Sequence, residues 1–167
     1  MKLITCMFAC VAVLGQAMAE ENWPAFRGPK ALGVSDNPSL PLEWSDKKNV
    51  EWKVAVPGLG WSNPVVHSGR IYLTTAVSDG EIEKRKPGLY FGGDRKEPIK
   101  HMHQFLVLCL ELKTGDFLWQ KEVLAIRPLT PIHVKNSYAA ETPVTDGDRV
   151  YAYFGSHGLY CLDKTGK

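Results

Sequence analysis

The chain has no long hydrophobic run, little cysteine and no charge bias, and each absence removes a class of protein. Its most apolar stretch, Leu3 to Leu14, is twelve residues long, too short to cross a bilayer as a helix. Lys+Arg total 20 and Asp+Glu 18, a formal net charge of +2, which gives nothing to steer a nucleic acid. The one basic triplet, Lys84-Arg85-Lys86, sits between acidic residues and Gly88 and reads as a solvated loop. Glycines occur as Gly58-Leu59-Gly60 and Gly92-Gly93-Asp94, without the lysine-serine of a phosphate loop or the three-glycine dinucleotide pattern. Asp146-Gly147-Asp148 lacks the further oxygen donors and distal glutamate of a calcium loop.

What is present begins with an export signal. Lys2, the apolar run and Ala17-Met18-Ala19 have the charged start, apolar centre and small residues that signal peptidase requires. Cleavage is expected after Ala19, leaving 148 residues with a formal charge of +1. Cys10 follows Met7-Phe8-Ala9, a poor lipobox, so lipidation is not expected. Two of the four cysteines leave with the signal. An exported, periplasmic or extracellular protein without a transmembrane segment is the expectation.

The mature part contains a repeat. Ser62-Asn63-Pro64-Val65-Val66, the turn His67-Ser68-Gly69-Arg70 and Ile71-Tyr72-Leu73-Thr74-Thr75 read as strand, turn, strand. Glu141-Thr142-Pro143-Val144-Thr145, Asp146-Gly147-Asp148-Arg149 and Val150-Tyr151-Ala152-Tyr153-Phe154 match them position for position, Pro64 over Pro143, at a shift of 79 residues. Third strands follow, Phe105 to Glu111 and Leu159 to Asp163, each running into a threonine-glycine turn, Lys113-Thr114-Gly115 and Lys164-Thr165-Gly166. There the shift from Cys109 to Cys161 is 52 residues, so the first repeat carries an insertion of about 27 residues, roughly 79–102.

Asp116 to Val123, with Trp119, reads as a fourth strand, and residues 49–56, with Trp52, look like the same strand ahead of the first repeat. The second repeat stops at Gly166-Lys167 before its own fourth strand. Four antiparallel strands cannot bury both faces alone and need neighbours on each side. The expected fold is all-β: a partial β-propeller of antiparallel four-stranded blades in an incomplete ring. A leading strand 49–56 would complete the ring's last blade. The expected organisation is signal peptide 1–19, an N-terminal extended segment 20–48, a first blade 61–123 with insertion 79–102, and an incomplete second blade 138–167. The structural positions of the repeat are Trp52, Pro64, Gly115, Trp119, Pro143 and Gly166. Closing a ring from several such chains leaves unpaired edges on each one, an aggregation hazard, so further repeats in the same polypeptide are expected.

With its threonine-glycine turn followed by tryptophan, here Thr114-Gly115 and Trp119, the chain resembles the pyrroloquinoline-quinone-like β-propeller repeat proteins, in an exported bacterial branch. Asn22 to Pro29, Lys135 to Pro143 and Asp146 to Gly155 are similar to phrases that recur there. The resemblance implies a fold and leaves the function open between two readings. One is a non-catalytic scaffold that binds a protein or glycan partner through loops at one end of the ring. The other is part of an alcohol dehydrogenase that uses pyrroloquinoline quinone with calcium. The adjacent-cysteine pair typical of many such enzymes is absent, and no catalytic or cofactor-binding residue can be named.

Individual residues carry bland readings. His101-Met102-His103 puts two imidazoles on one side of a strand, but no Asp, Glu or Cys accompanies them at ligand spacing. No metal is expected, with His101 and His103 the candidates if one binds. Cys109 and Cys161 sit at the same place in successive repeats, too far apart for a disulfide, and two buried free thiols are expected. Trp52 and Trp119 are expected to pack between repeats. The insertion, with Tyr90-Phe91-Gly92-Gly93, and the loop from Arg127 to Asn136 are the expected recognition sites.

Overall fold

The computed structural model describes residues 22–81, 99–133 and 135–167. The signal peptide with its Ala19 junction, and most of the insertion, lie outside them.

Among these residues seven strands form: β1 (Val65–His67), β2 (Arg70–Ser78), β3 (His103–Glu111), β4 (Phe117–Ile126), β5 (Val144–Thr145), β6 (Arg149–Tyr153) and β7 (Leu159–Asp163). Among the described residues helix is confined to two three-residue 3-10 turns, Pro29–Ala31 and Gly155–His157. The strands make two antiparallel sheets, β1-β2-β3-β4 and β5-β6-β7. No closed sheet occurs among the described residues.

The repeat holds at the level of register. In the four-stranded sheet Val65 faces Tyr72 and Tyr72 faces Cys109. In the three-stranded sheet Val144 faces Tyr151 and Tyr151 faces Cys161. The hairpins that set these registers differ in chemistry. Ser68 and Gly69 both take positive φ, 47° and 72°, the twist a two-residue hairpin needs. In the second hairpin the Asp146 carboxylate oxygen Oδ1 accepts from the backbone N–H of Asp148 at 3.0 Å and of Arg149 at 2.7 Å, a side chain standing in for a backbone turn. Each hairpin then ties to the turn after its third strand. Leu112 N–H donates to Gly69 O at 2.8 Å, and Lys164 N–H to Asp148 O at 3.1 Å.

Period-two alternation splits the four-stranded sheet into two apolar faces. Val65, Tyr72, Ala76, Phe105, Val107 and Cys109 pack against Ala139, Val150, Ala152, Phe154 and Leu162 of the second repeat, forming one core between the sheets. Ile71, Leu108 and Leu110 point the other way, under Trp52 and Val54. β3 is thus buried on both sides, and each fully covered Phe, Leu or Val contributes roughly 1.5–3 kcal/mol. An aromatic seam crosses between the repeats: the Phe105 ring lies 5.3 Å from Phe154 and 4.8 Å from His157.

Residues 49–56, expected to complete a blade outside the two described sheets, pair with none of the described strands. One expectation needs correction. Cys161 is exposed, whereas Cys109 is buried: the second repeat packs on the face of β3 that carries Cys109, and no sheet among the described residues packs on the matching face of β7. The N-terminal segment ties the two sheets together. Trp23 and Val66 exchange both backbone hydrogen bonds, at 2.8 and 2.9 Å, and Pro24 O accepts from Thr145 N–H at 2.9 Å, so residues 23–24 clasp the first strands of both sheets.

Candidate functional site

Tryptophans build the joint between the repeats. Trp119, on β4, donates its indole N–H to Lys164 O at 3.1 Å, over the turn after β7. Trp52 donates to Leu112 O at 3.0 Å, over the turn after β3. Leu112 and Lys164 are equivalent carbonyls, each one residue past the acidic end of its third strand. The ring in each case lies on the turn glycine. A Cβ on Gly115 would come within 2.5 Å of the Trp52 ring, and one on Gly166 within 2.9 Å of Trp119. Both glycines take positive φ, 77° and 84°. Of the other repeat markers, Pro64 precedes β1 on the exposed side, and Pro143 precedes β5 fully buried.

This joint brings the two hairpins side by side and leaves a groove of about 420 Å³ between them, lined by His67, Ser68, Arg70, Tyr72, Asp146, Gly147, Asp148 and Lys164. Arg70 donates to Lys164 O at 2.5 Å, so one carbonyl holds both the tryptophan and the arginine. The His67 ring lies against Gly147, where a Cβ would approach to 2.6 Å, and its Nδ1 is 3.0 Å from Ser68 Oγ. Asp146 is occupied by its own turn and by the Tyr151 hydroxyl, which donates to Oδ2 at 2.9 Å. The hydrogen bond from the Arg149 backbone, then that from Tyr151, holds its carboxyl below the ordinary value.

The groove is polar. Burial raises the Tyr72 phenol above its ordinary value, so it remains a hydrogen-bond donor at neutral pH. Burial also pushes the Cys109 thiol up to about 11, against the opposing pull of Arg70. What remains is a set of donors and acceptors of both signs on two hairpins, a surface suited to hydrogen-bonding amides and hydroxyls.

His101 and His103 part company. His101 Nδ1 lies 3.4 Å from Asp79 Oδ1, at the base of the insertion, where Asp79 N–H donates to Met102 O at 3.1 Å. His103 stands edge-on to Tyr138, ring centroids 4.9 Å apart, and burial lowers its pKa. Among the described residues no three of His, Cys, Asp and Glu converge on one point. Two carbonyls of the 127–136 loop are bonded: Trp61 Nε1–H donates to Lys135 O at 2.9 Å, and Tyr138 O–H to Thr130 O at 2.8 Å. Sequence reasoning missed the groove because Arg70 and Lys164 are 94 residues apart; the signal was the arginine common to both hairpins, Arg70 and Arg149. No helix among the described residues is long and apolar enough to cross a membrane. No protein-family model and no curated protein matches the chain.

Proposed function

We propose that the two sheets are successive blades of an exported β-propeller of the pyrroloquinoline-quinone-like repeat type, which binds a protein or glycan partner without catalysis. The observation that carries this reading is the repeated joint, Trp52 on the Gly115 turn and Trp119 on the Gly166 turn. One contact made twice at equivalent positions is what stacking of like units around an axis demands. The groove it creates between hairpins is the place for the partner, with His67, Arg70, Asp148 and Lys164 as its polar wall.

The test is a double variant, His67→Ala with Lys164→Ala, which keeps the Lys164 carbonyl that holds the joint. Wild type and variant are read side by side on an array of glycans and peptides. Retention by the wild type that falls at least tenfold in the variant supports the reading. Equal retention by both moves the site elsewhere. Adding pyrroloquinoline quinone with calcium and finding dye-linked alcohol oxidation overturns the non-catalytic reading.

A further inference from the structure

The charges that line the groove between the hairpins are not matched to one another. Asp146 is committed to its own turn, where it accepts from two backbone amides and from the Tyr151 hydroxyl. The cations have no such partners. Among the described residues neither Arg70 nor Lys164 has a carboxylate within ion-pair distance. The oxygens beside Arg70 are neutral, the Lys164 carbonyl and the Tyr72 phenol. Arg70 is also half-buried, at the start of β2. A guanidinium partly withdrawn from water and set among neutral oxygens retains a strong attraction for an anion.

That guanidinium is anchored as well. One of its N–H groups donates to Lys164 O at 2.5 Å, and the same carbonyl accepts from the Trp119 indole at 3.1 Å. An anchored planar fork is suited to a carboxylate, which it meets with two parallel hydrogen bonds. Lys164, exposed on the same groove, adds a second positive charge. The rest of the lining bears on what carries the carboxylate. Asp148 is an exposed acceptor with a negative charge: it repels a ligand with several carboxylates side by side and accepts hydrogen bonds from hydroxyls. Ser68 brings a hydroxyl of its own. The volume of about 420 Å³ is that of a small-molecule cleft.

We infer that the groove recognises a uronic acid residue of a glycan, with the sugar carboxylate on the Arg70 fork beside Lys164 and ring hydroxyls donating to Asp148. This rests on the reading of the groove as the partner site and names the chemistry of the partner there. A peptide C-terminus carries the same carboxylate, but it lacks the neighbouring hydroxyl donors that Asp148 and Ser68 suit.

Amide NMR titration of the 167-residue chain tests the assignment. The probes are the methyl glycosides of glucuronic, galacturonic and mannuronic acid, each set against its uncharged methyl ester. At least one acid is expected to bind roughly tenfold tighter than its ester, as a charge-assisted pair of hydrogen bonds requires, and to shift the Gly147 and Asp148 amides. Lys164→Gln leaves the backbone carbonyl in place, and Arg70→Lys keeps the charge but loses the fork. Each is expected to reduce the preference for the acid roughly threefold or more. Should Arg70→Lys disturb the amide spectrum of the sheets, Lys164→Gln decides alone. Acid and ester bound alike overturn the inference, as does a preference that Lys164→Gln leaves intact. An N-acetylated dipeptide bound as tightly as the best acid assigns the carboxylate to a protein and overturns it too. If no acid binds, the inference fails, while a neutral glycan retained on the array by the wild type and lost by the His67→Ala, Lys164→Ala variant keeps the groove as the partner site.

Discussion

Trp119 and Gly166 are 47 residues apart in sequence, yet the indole lies so close to the glycine that a methyl group there would sit 2.9 Å from Cδ2 of the ring. The Trp52 and Gly115 pair repeats the contact more tightly, at 2.5 Å. A tryptophan ring and a turn without a side chain form one complementary unit, and neither half can change alone.

The glycines should therefore be intolerant for two reasons that add. Alanine in the left-handed region costs roughly 1–2 kcal/mol in itself, and here its Cβ also displaces a ring. Gly115→Ala is expected to destabilise the chain by more than Gly166→Ala, because its ring is nearer. Urea unfolding followed by tryptophan fluorescence ranks the two; equal or negligible losses contradict the joint.

Removing the ring instead of crowding it is expected to cost less. Trp119 is only partly buried, so Trp119→Ala should cost about 2 kcal/mol, below the roughly 3–5 kcal/mol typical of a fully buried tryptophan. Trp119→Phe should recover part of the packing and none of the hydrogen bond to Lys164 O. A phenylalanine variant as stable as wild type would show that the indole N–H contributes nothing.

Cys109 and Cys161 should separate under a thiol reagent. Burial holds the Cys109 thiol at about 11, and its sulfur lies in the core between the sheets, so of these two the folded protein should label at Cys161. Both should label in denaturant. Mass spectrometry after brief iodoacetamide treatment at pH 8 gives the answer, and early labelling of Cys109 would mean the core opens readily.

That contrast shows where the sequence was legible. The shared phrase around Pro64 and Pro143 and the third strands that follow predict equivalent strands, which Val65-Tyr72-Cys109 and Val144-Tyr151-Cys161 display in register, with Cys161 on the face that matches that of Cys109. Period two cannot say whether another sheet covers that face, so Cys161 was expected inside. Partners distant in sequence were equally silent. Nothing local marks Trp23-Pro24 as the clasp between β1 and β5, or places Arg70 on the Lys164 carbonyl. Residues 49–56 read as a strand from their likeness to β4, but strand character depends on a neighbour that pattern alone does not supply.

Acid should act on the chain in two separate windows. The first belongs to His103. Burial lowers its pKa below the ordinary 6.5, outweighing the bond in which its Nδ1–H donates to His101 O. The unfolded chain then binds the proton more readily than the folded one, so the stabilisation is complete above the unfolded value and declines as pH falls from there toward the folded pKa. His103→Gln should flatten the slope of stability against pH in this range. A carbon-bound proton titration of the imidazole by NMR should place its midpoint below 6.5; a midpoint above that reverses the sign and refutes the argument.

The second window belongs to the turn carboxylates. Asp146 is held down first by the backbone bond from Arg149, and Asp163 first by the Thr165 hydroxyl, which donates to it at 2.6 Å. Both folded values lie below the ordinary 3.8. Their contribution is therefore present above pH ~4 and is lost only as pH falls through the depressed folded values. Both groups are solvent-exposed, so the loss should be modest. It should also be local, with fraying of the 146–149 hairpin and the 163–167 turn before the sheets separate. Asp146→Asn retains a side-chain acceptor and should preserve the hairpin at neutral pH while removing its share of the acid dependence; Asp146→Ala should weaken the hairpin at every pH. Hydrogen exchange at the Asp148 and Arg149 amides distinguishes the two variants directly. If both protect those amides as well as the wild type does, the carboxylate is not what holds the turn.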